Sequence, residues 1–216
     1  HALLLDRQGN ILLGSVGSYA ALLSSGTWQG IDRSVGLKDD WINDATETPE
    51  GLWLAGSNGL FLLKDGKIIQ RRAPLGGGCS PIRWSNPDTN CLIADGSDLF
   101  IGTAQDGAFR ISAAGKETKI RGFRGNIQAL LIWKNALYVA GSDVGLWRVD
   151  HQNPAELKGE AVSGPWGQDN HFKALGVGPQ GELLVGTFAG TVYRSPDGAS
   201  FTKHIEFRDD AFQYVP

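Results

Sequence analysis

Leu183-Leu184-Val185-Gly186-Thr187, followed by Val192-Tyr193-Arg194-Ser195-Pro196-Asp197-Gly198, is the stretch from which the fold can be read. Its first half recurs as Ile11-Leu12-Leu13-Gly14-Ser15, Trp53-Leu54-Ala55-Gly56-Ser57, Leu99-Phe100-Ile101-Gly102-Thr103 and Tyr138-Val139-Ala140-Gly141-Ser142. Each copy is a short apolar run, then Gly, then Ser or Thr, with a second Gly and another apolar run close behind. The anchor glycines stand 42, 46, 39 and 45 residues apart, and a period in this range marks a repeat architecture. Counting back twelve residues from Gly14, Gly56, Gly141 and Gly186 reaches Ala2, Asp44, Ala129 and Ala174. The third unit reaches Cys91 at eleven, which reads as a turn one residue shorter at Asp95-Gly96.

Within each unit, four short apolar segments are separated by Gly-containing turns, the pattern of an antiparallel meander. No stretch combines ten residues of helical spacing with a cap, so long helices are not expected. Units of about 40 residues, each a four-stranded meander, point to an all-β fold, a β-propeller. The expected organisation is one propeller domain over 1–216, with repeats near 1–41, 42–89, 90–126, 127–171 and 172–216. Ala2 to Leu5 and Ala129 to Ile132 are apolar at successive positions, as an inner strand sandwiched between two blades requires. Asp209-Asp210-Ala211-Phe212-Gln213-Tyr214-Val215 echoes Asp39-Asp40-Trp41-Ile42-Asn43-Asp44-Ala45. Two arrangements therefore stay open, a closed five-bladed ring and part of a larger one. An incomplete ring would expose blade faces and favour self-association.

The composition, 41% hydrophobic and 20% charged with 30 Gly, is that of a globular chain with many turns. A formal net charge of -3 gives no footprint for nucleic acid, and no apolar run is long enough for a membrane span. The chain contains no Met, so it is read as a processed form or a fragment. Cys79 and Cys91 either close a disulfide across their proline-containing loop, which implies an oxidising compartment, or are unpaired thiols. The expected setting is extracellular or periplasmic.

The pattern Leu52-Trp53-Leu54-Ala55-Gly56-Ser57-x-Gly59-Leu60-Phe61 resembles the repeats of two-component-regulator sensor propellers. Gly186-Thr187 through Ser195-Pro196-Asp197-Gly198-Ala199-Ser200-Phe201 resembles the Asp-box (BNR) turn of sialidase-, sortilin- and photosystem-assembly-factor-like propellers. This resemblance implies the fold and a structural turn at Asp197, whose carboxylate would accept backbone N–H bonds. It does not imply one activity, because such repeats serve enzymes, lectins, receptors and scaffolds alike. No three arginines recur at matching inner-strand positions, so a sialidase-type carboxylate clamp is not expected.

The exceptions to the repeat carry the functional candidates. The second inner strand reads Asp44-Ala45-Thr46-Glu47 where other units are apolar. Its charges either line a polar channel, as an acid–base or ligand-binding group, or are satisfied by backbone of the next blade. Asp44 and Glu47 are three apart and so point to opposite faces of a strand, a poor start for glycoside hydrolysis. The inter-unit links 29–41, 70–90, 121–126 and 155–171 carry Trp41, Trp84, Arg124, Trp166 and His171. These either form a ligand rim at the channel mouth or plug the seams between blades. No spacing of His, Cys and carboxylates suits a metal, and no motif calls for a cofactor. The leading expectation is a non-catalytic module binding a glycan or a protein at that rim, with no nucleic-acid partner and no membrane insertion. The alternatives are a carbohydrate-active hydrolase or lyase using Asp44 and Glu47, and a structural scaffold.

Overall fold

The structure is a computed structural model; it describes residues 2–15, 17–38, 41–57, 59–72, 89–153 and 156–207. Five four-stranded antiparallel sheets follow one another along the chain. The first blade is β1 (Leu3–Leu5), β2 (Ile11–Gly14), β3 (Ala20–Ser24) and β4 (Thr27–Ile31). The second is β5 (Ile42–Thr48), β6 (Gly51–Gly56), β7 (Gly59–Lys64) and β8 (Lys67–Arg72). The third is β9 (Thr89–Asp95), β10 (Asp98–Thr103), β11 (Ala108–Ile111) and β12 (Glu117–Lys119). The fourth is β13 (Ile127–Trp133), β14 (Ala136–Gly141), β15 (Gly145–Val149) and β16 (Gly159–Ala161). The fifth is β17 (Phe172–Val177), β18 (Leu183–Thr187), β19 (Thr191–Ser195) and β20 (Thr202–Glu206). The only helical element among the described residues is one 3-10 turn, Arg33–Val35.

Each seam between consecutive blades is a separate apolar cluster, because both faces of an inner blade are apolar. Leu12 and Ile31 meet Leu54 and Phe61 in the first seam. Trp53 and Leu60 meet Leu99, Ile101 and Phe109 in the second. Phe100 meets Ile127, Leu137 and Val139 in the third, and Tyr138 meets Leu183, Val185 and Tyr193 in the fourth. Burying one such side chain is worth about 1.5–3 kcal/mol, so the seams are what hold the blades in order. The inner strands pack in sequence, β1 on β5, β5 on β9, β9 on β13 and β13 on β17, and among the described residues no comparable packing joins the first blade to the last.

Strand pairing corrects one feature of the repeat as read from sequence. The anchor glycines are not equivalent. Gly56 pairs with Ile42 and Gly141 with Ile127, whereas in the third and fifth blades the matching positions are Thr103, paired with Thr89, and Thr187, paired with Phe172. Gly102 and Gly186 stand one residue earlier, opposite Cys91 and Ala174. Against the first and fifth blades, whose glycines hold the same place as Gly102, the shorter count to Cys91 is the shorter turn between β9 and β10; against the second and fourth blades the turn is the same length and the anchor is shifted. In this register, Leu52/Leu54, Leu99/Ile101, Leu137/Val139 and Leu183/Val185 all face the preceding blade, and all eight are buried.

The turn after β19 behaves as the sequence implied. Asp197 Oδ1 accepts the backbone N–H groups of Ser200 at 2.7 Å and Ala199 at 2.9 Å, while Oδ2 accepts the Ser200 hydroxyl at 2.9 Å. These donors, Ser200 first, hold the Asp197 carboxyl well below the usual carboxylate range. A depressed folded-state pKa adds stability that is complete above the unfolded value and is lost as pH falls through the folded one. The stability gap between the protein and Asp197→Ala is therefore expected to stay constant from pH 7 to about 5 and to shrink below about 4. Thermal melts across that range check it; a gap that widens in acid contradicts the assignment.

Candidate functional site

The inner strands β5, β9, β13 and β17 each carry a β-bulge near the start. In β5 the pairing steps from Ile42↔Gly56 to Asp44↔Ala55 and leaves Asn43 unpaired. The same step leaves Asn90 in β9, Gln128 in β13 and Lys173 in β17. A bulge re-aims the extra side chain away from the alternating faces. Here all four extra residues are polar, and all four line one cavity of about 590 Å3 at the start of the inner strands. Asp44, Cys91, Ala129, Leu130, Ala174 and Leu175 complete its wall.

The bulge side chains form a linked polar arc. Asn43 Nδ2 donates to Thr89 O at 2.9 Å, and Asn90 Nδ2 donates to Ile127 O at 3.0 Å. Asn126 Oδ1 accepts from both Asn90 Nδ2, at 2.8 Å, and Gln128 Nε2, at 2.6 Å. Lys173 Nζ donates to Gln128 Oε1 at 2.6 Å and lies 5.1 Å from the Phe188 ring centroid. Each ammonium has three donors, so Lys173 retains hydrogen-bonding capacity beyond Gln128. Beside it, Phe188, His171, Asp169 and Ser142 line a shallow depression of about 450 Å3. The cavity and this depression are thus bridged by Lys173.

Asp44 sits in the cavity wall, but both its oxygens are engaged. Oδ1 accepts Ala45 N–H at 2.8 Å and Oδ2 accepts Leu92 N–H of the next blade at 2.7 Å. Burial pushes its pKa up, against the lowering effect of these two donors. Glu47 turns the other way, accepting Arg7 N–H at 2.9 Å on the first blade. The two carboxylates therefore brace opposite seams rather than converge, as the strand period requires. Asp44→Ala removes the acceptor for Leu92 N–H, and the expected cost is about 1–3 kcal/mol. Urea unfolding checks this; an unchanged midpoint contradicts the bracing role.

The rim residues divide. Trp166 packs edge-on against Phe172, Tyr193 and Phe201, with centroids 5.2, 5.5 and 5.0 Å away, in the seam between the last two blades. Trp41 is 47% exposed just before β5. Arg124 lies 3.4 Å from Asp106, and His171 lies 3.9 Å from Asp143 and borders the Phe188 depression. Trp84 lies outside the described residues, as do Cys79, most of the 70–90 link and the 209–215 echo. Cys91 is a free, buried thiol whose pKa burial pushes far up, so it is not a ready nucleophile. Among the described residues no cluster of His, Cys and carboxylates could hold a metal ion, and no helix is long and apolar enough to cross a membrane.

The bulge residues were not singled out in the sequence, although a signal exists. In Ile42-Asn43, Thr89-Asn90, Ile127-Gln128 and Phe172-Lys173 the second residue is polar at the same place, just inside the start of each inner strand.

No known family profile matches the sequence, and no curated protein matches it either. Solved structures do. The extracellular domain ascribed to a hybrid two-component system, BT4673 of B. thetaiotaomicron, aligns with a TM-score of 0.74 at 17% identity, covering 96% of this chain and 31% of that one. The WD40 β-propeller domain of Doa1 aligns at 0.59 and 12% identity, covering 92% and 62%. The chain has a β-propeller fold. YCF48 bound to a D1 peptide aligns with this propeller at 0.62 and 15% identity, covering 95% of this chain and 68% of that one. The propeller spans less than a third of the BT4673 domain. Identities this low establish the shared fold alone.

Proposed function

We propose that this propeller is a non-catalytic recognition module that binds a polar ligand, a glycan or a peptide, at the channel mouth. One observation carries the reading: four successive inner strands each spend a β-bulge on a polar side chain, and Asn43, Asn90, Gln128 and Lys173 line one open cavity. A bulge disrupts ladder pairing, so four at one level of the fold indicate a shared use. Amide groups and one ammonium suit a ligand rich in hydroxyl or carboxylate oxygens. Phe188 beside Lys173 supplies an apolar shelf, and His171 extends it. Binding pockets combine a few convergent polar groups with apolar walls in this way. Hydrolysis over Asp44 and Glu47 is the weaker reading, because both carboxylates are committed to backbone donors on opposite sides.

An extracellular or periplasmic setting is part of the proposal, supported by the extracellular domain among the structural neighbours. YCF48, seen with a peptide, supports the peptide arm. The test is a calorimetric and thermal-shift screen with two arms, neutral and acidic oligosaccharides in one and short peptides in the other. Binding in either arm that is lost on Lys173→Ala supports the reading. Turnover of an oligosaccharide that is abolished by Asp44→Asn overturns it.

A further inference from the structure

The first blade presents an uncovered sheet face. On it lie Leu3, Leu5, Ile11, Leu13, Leu23 and Trp28, which cross-strand pairing brings to one side of β1 to β4. Leu3 is 74% exposed, Leu5 67%, Trp28 51% and Leu13 41%. The other side of the same sheet, with Leu12 and Ile31, is buried against the second blade. In register, Ile11 and Leu13 match Leu52/Leu54, Leu99/Ile101, Leu137/Val139 and Leu183/Val185, each of which is buried against the blade before it. The first blade thus carries the residues of an inter-blade seam with nothing against them.

The opposite end shows the complementary half. Where Gly14 and Gly102 stand, an added Cβ would meet the isoleucine that opens the next inner strand, Ile42 at 2.8 Å and Ile127 at 2.6 Å. At Gly186, the matching position of the fifth blade, an added Cβ would meet, among the described residues, only Ala174 of its own sheet, at 3.6 Å. Among the described residues, nothing fills the socket at the place where the next blade would pack. Nor, among the described residues, does any packing comparable to the four seams join the two ends to each other.

We infer that the five blades are an arc of a larger ring, and that the Leu3–Trp28 face receives a further four-stranded blade of the same polypeptide. All four seams in the structure join blades that are neighbours in sequence, so the same polypeptide is the occupant this continuity assigns. Its face toward β1 carries a large apolar residue two positions before a small one, the pattern of Leu12/Gly14, Trp53/Ala55, Phe100/Gly102 and Tyr138/Ala140. A contiguous exposed apolar patch of this kind marks an interaction site. The inference is independent of the ligand reading.

The test places a benzophenone photo-crosslinker at Leu3 and, in a second variant, at Trp28, in the protein expressed from its own gene. Both positions are exposed within the five blades, so neither substitution disturbs their core, and the aromatic label at Trp28 is the more conservative. Mass spectrometry with mixed light- and heavy-isotope protein identifies the partner peptide. A cross-link within one molecule to a segment outside residues 1–216 is the expected result. A cross-link to residues 172–216 of the same molecule, which means the five blades close on themselves, overturns the inference. So does a mixed-isotope cross-link, which makes a second copy the occupant, and so does the absence of any cross-link in folded protein.

Discussion

Gly102→Ala is expected to destabilise the protein by about 1–3 kcal/mol, while the matching Gly186→Ala leaves the 216-residue chain within about 0.5 kcal/mol of the parent. The two glycines hold the same place in their blades, opposite Cys91 and Ala174. They differ in what lies beyond. At Gly102 an added methyl falls 2.5 Å from Cys91 Sγ and 2.6 Å from Ile127 Cγ2, both inside the seam of the third and fourth blades. Both neighbours are buried, and Cys91 backs onto Ile127 O, so neither side chain has room to give. The blade must shift, which loosens Phe100 against Leu137 and Val139. At Gly186 the nearest atom among the described residues is 3.6 Å away, an ordinary contact. For a chain of this length the Gly102 change lowers Tm by roughly 2–12 °C at about 2–4 °C per kcal/mol. Scanning calorimetry of the two variants side by side checks it. Equal effects would mean that the seams are not the source of stability assigned to them.

The repeat made the fold legible, because alternation within strands and glycines at turns are local signals that a single sequence carries. Asp197 was legible for the same reason, since its donors at 199 and 200 are its own neighbours. What needed the structure was register. A bulge is invisible until it is known which residue lies opposite which, so Asn43, Asn90, Gln128 and Lys173 read as ordinary polar residues. The same slip hid the non-equivalence of the anchor glycines. Asp44 stood out in sequence as a charge on an inner strand, yet its partner is Leu92 N–H, 48 residues away on the next blade. Trp41 and Trp166 both occupy links before inner strands and read alike. Packing separates them, since Trp166 has three aromatic neighbours in a seam while Trp41 stays half exposed.

Lys173→Ala is expected to weaken ligand binding about tenfold or more without lowering Tm. Lys173 is exposed, so truncation opens no cavity. Its ammonium is the one cationic group among the described residues of the cavity wall, and charge-assisted hydrogen bonds are worth roughly twice neutral ones. Losing one to a bound carboxylate or hydroxyl cluster costs about 1.5–3 kcal/mol, a factor of ten or more. Gln128 would also lose the donor that orients its amide, adding to the effect. Lys173→Arg keeps the charge and the reach and should retain part of the affinity, which separates a ligand contact from a packing role.

The measurement that tests the channel-mouth assignment most directly is a calorimetric titration of one oligosaccharide or peptide from the screen into the parent, Lys173→Ala and Gln128→Ala. The account predicts a Kd raised about tenfold or more in Lys173→Ala, a smaller rise in Gln128→Ala, and the parent's Tm in both. An unchanged Kd in both variants would contradict it, because the ligand would then bind elsewhere on the propeller.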